Sequence, residues 1–194
     1  MLATVGDLQV PGRHNVANAL AAAALARTRS VAPAAVRSGL QAYTPGPHRN
    51  EVVAVAGGVT WVNDSKATNP HAAAASLSAY EHVVWIAGGL LKGASVDELV
   101  AGQAHRLKAV VLIGQDRATI AAALARHAPD VPVVTIDTDD TEGMNEAVRA
   151  AATLAAPGDT VLLAPAADSM DMFHDYADRG ERFATAARDA AGAR

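Results

Sequence analysis

The chain has 194 residues, enough for a real core, and half of its composition is hydrophobic with only 4% aromatic. A formal net charge of −4 and the lack of any basic run argue against a nucleic-acid surface, and the absence of cysteine excludes disulfides and thiolate metal sites. Without an 18-residue apolar run or a basic-then-apolar start, the expectation is a soluble, cytoplasmic protein that engages no membrane. A monomer is expected, although no sequence feature bears on oligomeric state.

Residues 1–9 are short and irregular. Val10-Pro11-Gly12-Arg13-His14-Asn15-Val16-Ala17-Asn18 leads into the strongly helix-forming stretch 19–27, and the helix is expected to start near Asn15. Asn15 and Asn18 then lie one turn apart on one face. Their carboxamides could read an adenine edge, or Asn15 could cap the helix with Asn18 solvated. Residues 31–43 read as a second helix with Pro33 in its first turn. Pro45-Gly46-Pro47 breaks the chain and marks a domain boundary. Two helices are too few for a core of their own, so residues 1–45 read as the tail of a preceding domain.

After His48-Arg49, residues 50–56 and 59–62 form a hairpin across Gly57-Gly58. Arg49 at its base could contact a phosphate or ribose, or be an ordinary exposed arginine. The stretch Val62-Asn63-Asp64-Ser65-Lys66-Ala67-Thr68-Asn69-Pro70 follows. It sits between a strand and the helix read over 70–80, where open α/β sheets bind ligands. Asn69 or Thr68 can cap that helix, with Pro70 in its first turn. Asp64 and Lys66 add an acceptor and a fixed positive charge; the alternative is a plain polar loop with a good cap.

Strands and helices then alternate. Strands are expected at 82–86, 109–113, 131–136 and 160–163; helices at 96–106, 117–127, 142–155 and 178–191. The pattern predicts an α/β fold: a Rossmann-like, mostly parallel six-stranded sheet with helices on both faces and a hairpin at one edge, over residues 46–194. Three loops fall on one rim, 63–69, 88–93 and 165–170. Gly88-Gly89 allows close backbone approach and Lys92 supplies a point charge, although Gly-Gly-x-x-Lys-Gly lacks the spacing of a Walker A motif. Ser169 precedes an expected helical segment at 172–176. It could bind a carboxylate or merely cap; no base is spaced to make it a nucleophile. The seven histidines show no ligand spacing.

Taken together, Pro11–Asn18, Pro47-His48-Arg49, Asn63-Asp64-Ser65-Lys66-Ala67-Thr68-Asn69, Gly88-Gly89-Leu90-Leu91-Lys92-Gly93, Leu163-Ala164-Pro165-Ala166-Ala167-Asp168-Ser169-Met170-Asp171-Met172-Phe173 and Tyr176-Ala177-Asp178-Arg179-Gly180-Glu181-Arg182-Phe183 resemble the Mur ligases, in particular the D-glutamate-adding members. These stretches occur in family order across almost the whole chain. The resemblance implies an enzyme that uses ATP and Mg2+ to join UDP-N-acetylmuramoyl-L-alanine to D-glutamate through an acyl phosphate, in peptidoglycan synthesis. It also implies that this chain matches only the third domain plus the last helices of the central one. The family's P-loop and magnesium ligands would then lie upstream, and the chain alone would be inactive.

Residue by residue, the resemblance assigns Asn15 and Asn18 to adenine. It assigns Arg49, Asp64 and Lys66 to ribose and phosphates, with Asp64 and Lys66 as the catalytic pair. Thr68, Lys92, Ser169, Met170 and Tyr176 fall to D-glutamate, and no metal ligand falls in this chain. Tyr176 stands where phenylalanine is common, and Asp168 where a small neutral residue is usual. Asp168 is expected to face away from Ser169's substrate side and brace its loop, through backbone N–H groups or through Arg179 or Arg182. A stand-alone nucleotide-binding module, or an amide ligase for another amino acid, are the alternative readings.

Overall fold

The computed structural model describes residues 3–9 and 12–192, the side chains of Arg13 and His14 excepted. The chain divides into two compact units, Met1–Gly46 and Pro47–Arg194.

In the first unit, a short 3-10 turn at Val5–Asp7 precedes helices α1 (Arg13–Thr28) and α2 (Pro33–Ala42). The cap of α1 is Gly12 rather than Asn15, which sits inside the helix. Pro33 opens α2 as its ring geometry favours. Asp7 ties the turn to α2 by accepting from Gln41 Nε2 at 2.7 Å. Among the described residues only Ala23 and Val36 of this unit are buried, while Leu20 and Leu25 are 67% and 69% exposed.

The second unit is a six-stranded sheet with order β1-β2-β6-β3-β4-β5. Its strands are β1 (Glu51–Ala56), β2 (Val59–Asn63), β3 (Val83–Gly88), β4 (Leu107–Ile113), β5 (Val133–Thr135) and β6 (Thr160–Leu163). β1 is the edge strand, antiparallel to β2; the remaining pairings are parallel. Between them run α3 (Pro70–Leu77), α4 (Asp97–Gln103), α5 (Arg117–His127) and α6 (Gly143–Leu154), and α7 (Tyr176–Gly192) closes the chain.

The central strands are apolar on both faces because both faces are covered. Trp85, Val110, Leu112 and Leu162 pack with Leu77, Leu99, Ile120 and Leu124 of α3, α4 and α5. Trp61, Ile86, Val111 and Leu163 pack with Met144, Val148, Phe183 and Ala187 of α6 and α7. Trp85 Nε1 donates to the Ala164 carbonyl at 2.7 Å, so even the indole N–H of that face is satisfied.

Several elements differ from the sequence expectation. The helix expected at 96–106 is α4 followed by a 3-10 turn at Ala104–Arg106. The fifth strand is three residues long. Of the segment expected to be helical at 172–176, residues 172–175 are not: Met172 and Phe173 donate to the Ser169 carbonyl in a turn. Asp175 Oδ1 then accepts from the N–H groups of Ala177 and Asp178, so α7 begins at Tyr176 behind its own acidic cap.

Candidate functional site

Because β2, β6 and β3 are adjacent and parallel, the loops that follow them emerge side by side on one rim. The 63–69 loop is built from the inside. Asn63 is fully buried, and its Oδ1 accepts from Ser65 N at 3.1 Å. That fixes the amide, whose Nδ2 donates to the Gly180 carbonyl and to His48 Nδ1, each at 2.9 Å. His48 therefore carries its ring proton on Nε2. Gly180 has to be glycine, since a Cβ there would fall on the His48 ring. Lys66 N donates to the His48 carbonyl at 3.1 Å. Asn69 caps α3 by accepting from Ala72 N at 2.9 Å.

One buried cation joins this loop to the 165–170 loop. Arg179 is inaccessible to solvent. Its Nε donates to Ser65 Oγ at 3.0 Å, Nη2 to the Ser65 carbonyl at 2.9 Å and Nη1 to the Ala167 carbonyl at 3.2 Å. Burial brings its pKa down to about 10, opposed by the charges of Asp171 and Asp168, so it stays cationic at neutral pH. The sequence offered Arg179 only as a partner for Asp168; a three-way buried clamp between distant loops leaves no local pattern.

The 88–93 loop is stitched to the same frame. Leu90 and Asp168 exchange both backbone hydrogen bonds at 2.9 Å. Gly89 lies at φ +130, and a Cβ there would fall on the Asp168 carbonyl oxygen. Asp116 Oδ2 accepts from Leu91 N at 2.7 Å, and Asp171 Oδ2 accepts from Gln115 N at 2.7 Å. Lys92 itself sits at a positive φ of 53, a conformation held by its surroundings rather than preferred.

The expected site residues divide as follows. Asp64, Lys66, Thr68, Lys92, Ser169, Met170 and Tyr176 lie on or beside these three loops. Lys66 Nζ stands 3.7 Å from the centre of the Tyr176 ring. Met170 is exposed, but Ser169 is only 1% exposed. Arg49 is exposed at the foot of the hairpin. Asn15 and Asn18 belong to the first unit, where they line a groove of about 480 Å3 between α1 and α2 with Ala22, Ala23 and Val36. Asp168 departs from the expected pairing. Its Oδ2 is 2.5 Å from Lys92 Nζ, while Arg179 is engaged by Ser65 and Ala167, and Arg182 by Asp178 at 2.7 Å. The expected backbone contacts are present: Asp168 Oδ1 accepts from Ser169 N at 2.6 Å and Met170 N at 3.3 Å. The Lys92 hydrogen bond, ahead of those two amides, holds its pKa below the usual carboxylate value. Among the described residues, no three His, Asp or Glu side chains gather to hold a metal ion, and no helix is long and apolar enough to cross a membrane.

A rim of three stapled loops carrying two lysines suits an anionic ligand. The model of the Mur ligase glutamate ligase domain matches residues 48–167, which include two of the three loops and the first half of the third. This chain belongs to the Mur ligase family. Among its relatives is the UDP-N-acetylmuramoylalanine–D-glutamate ligase of Streptomyces coelicolor, 62% identical over 97% of this chain and 40% of that protein. The proteins of the same name from Thermobifida fusca and Mycobacterium tuberculosis are 61% and 53% identical, over 98% and 96% of this chain and 41% and 44% of theirs. The chain thus spans about 40% of the length of the first two of these relatives. Solved Mur ligases share the fold. UDP-N-acetylmuramate–alanine ligase from Thermotoga maritima superposes with a TM-score of 0.65 at 18% identity, over 94% of this chain and 40% of that one. MurF from Acinetobacter baumannii gives 0.63 at 20%, over 94% and 39%.

Proposed function

We propose that this chain is the glutamate-ligase part of an ATP-dependent amide ligase that adds D-glutamate to UDP-N-acetylmuramoyl-L-alanine. The observation that carries the reading is the 62% identity, over nearly the whole chain, to a relative named for that activity. In this reading the muramoyl-alanine carboxylate attacks the γ-phosphate of ATP, and the D-glutamate amine displaces phosphate from the acyl phosphate.

Lys66 and Asp64, with Arg49, act on the ribose and phosphates. Asn15 and Asn18 act on adenine, and the first unit is the tail of the ATP-binding domain. The exposure of Leu20 and Leu25 supports that assignment, since two helices that bury so little need further chain to cover them. Lys92, Thr68, Ser169, Met170 and Tyr176 act on D-glutamate; a dicarboxylate calls for a cation and hydroxyl donors. Burial of Ser169 means its hydroxyl becomes available only as the 165–170 loop shifts. A resident Mg2+ finds no ligand set among the described residues, so no step is assigned to a metal held by this chain.

The test is a chimera in which this chain replaces the matching residues of the Streptomyces coelicolor relative. It should form the D-glutamyl product with release of phosphate from ATP. A soluble, folded chimera that accepts a different amino acid, or none, would refute the reading.

A further inference from the structure

We propose that Tyr176 is a positioning residue for Lys66: its ring holds the ammonium by its face and leaves the charge available to an anion. The proposal rests on the phosphate role of Lys66 given above and deepens it. Both ends of the contact are anchored independently of the side chains. Ser65 Oγ donates to the Tyr176 carbonyl at 2.7 Å, Arg179 grips Ser65 at Oγ and at the carbonyl, and Lys66 N is bonded to His48. The ring also meets the His48 ring in a T-shaped arrangement, at 6.4 Å between centroids and 77° between planes. Over this fixed ring lies the Lys66 ammonium, at 3.7 Å.

A lysine stem has four rotatable bonds, so an ammonium meant for a phosphate must be gathered from many rotamers. A carboxylate can do that, but only by neutralising the charge, as Asp168 does for Lys92. The face of an aromatic ring attracts the cation through its quadrupole and keeps no negative charge of its own. Tyrosine and phenylalanine present that face equally, so the ring and not the hydroxyl is what Lys66 uses. Since Tyr176 is also assigned to the D-glutamate side, one ring touches both halves of the reaction. Amino acid binding against it would bear directly on the phosphate-side lysine.

The chain has only three lysines, Lys66, Lys92 and Lys108, so selective lysine labelling resolves each side chain by NMR. The ε-methylene protons of Lys66 should lie upfield of those of Lys92 and Lys108 through the ring current. The shift should persist in Tyr176→Phe and vanish in Tyr176→Leu. In the chimera, Tyr176→Leu should raise KM for ATP roughly fivefold, with Tyr176→Phe close to wild type. A wild-type Lys66 without the upfield shift, or a shift that survives Tyr176→Leu, would overturn the proposal even if that variant folds poorly. A lost shift with an unchanged KM for ATP would overturn its functional half. An inactive chimera counts against the ligase reading alone, because the ring-current result is independent of turnover.

Discussion

Lys92 Nζ and Asp168 Oδ2 meet at 2.5 Å across two loops that also exchange a pair of backbone hydrogen bonds through Leu90 and Asp168. The cation assigned to the distal carboxylate of D-glutamate is thus already paired in the ligand-free protein. The lysine side chain is 65% exposed, so the pair itself is worth little, on the order of 0–1 kcal/mol. What Asp168 contributes beyond that is the hydrogen bonding of two backbone amides, which makes it a brace for the 165–170 loop.

Removing the brace should be visible in stability first. Asp168→Ala should cost about 1 kcal/mol, or roughly 2–4 °C in Tm, with a modest rise in the chimera's KM for D-glutamate. Thermal denaturation and steady-state kinetics check both. An unchanged Tm with a clearly lower KM would instead make Asp168 a competitor for the substrate's place.

The same carboxylate gives a pH dependence with a fixed sign. Its pKa in the folded protein is lowered, chiefly by Lys92, so the ionised form stabilises the fold. That contribution is fully present above the ordinary aspartate pKa of about 3.9 and is lost as pH falls through the lower folded value. The stability difference between wild type and Asp168→Asn should therefore be constant near neutrality and shrink in acid. A difference that grew as pH fell from 5 to 3 would contradict the pairing.

Arg179 should be among the most sensitive positions for stability. Arg179→Ala leaves the Ser65 and Ala167 carbonyls without their donors in a buried site, at a cost of about 3 kcal/mol or more. Urea denaturation of the chain reads this directly. A loss under 1 kcal/mol would show that the clamp is dispensable.

Gly89→Ala should be comparably damaging, because the new Cβ has nowhere to go but the Asp168 carbonyl oxygen. Its expected cost is about 2 kcal/mol or more, through loss of the Leu90–Asp168 bridge. Gly102→Ala, where nothing lies near the new methyl, is the control.

Much of this was legible in the sequence where the signal is local. α5 and β6 fall on the expected residues because polar or glycine-containing turns bound them, and Asn69-Pro70 announced α3 through its cap and its first-turn proline. The three-loop rim followed from strand–helix alternation alone. The errors have local causes too. The stretch 172–176 was read as helical, but Asp175 caps the helix that starts at Tyr176, and a cap residue is not itself helical. The partner of Asp168 was sought among arginines close in sequence, whereas Lys92 is 76 residues away and reaches it through a loop bridge. The burial of Arg179 and His48 depends on long-range packing of α7 against the rim, for which no spacing rule exists.

The separate chain should release no phosphate from ATP, with or without the two other substrates. It contains no Gly-x-x-x-x-Gly-Lys-Ser/Thr motif, and phosphoryl transfer depends on such a cradle and its metal for charge neutralisation. Turnover by the purified chain at ligase-like rates would contradict the assignment of the first unit to a larger ATP site.

The most direct test of the D-glutamate assignment is Lys92→Ala in the chimera, with kinetics in both small substrates. Loss of a charge-assisted contact of about 1.5–3 kcal/mol predicts a fall in kcat/KM for D-glutamate of roughly 10- to 150-fold, with KM for ATP within about twofold of wild type. Unchanged kcat/KM for D-glutamate, or an equal loss for ATP, would contradict it.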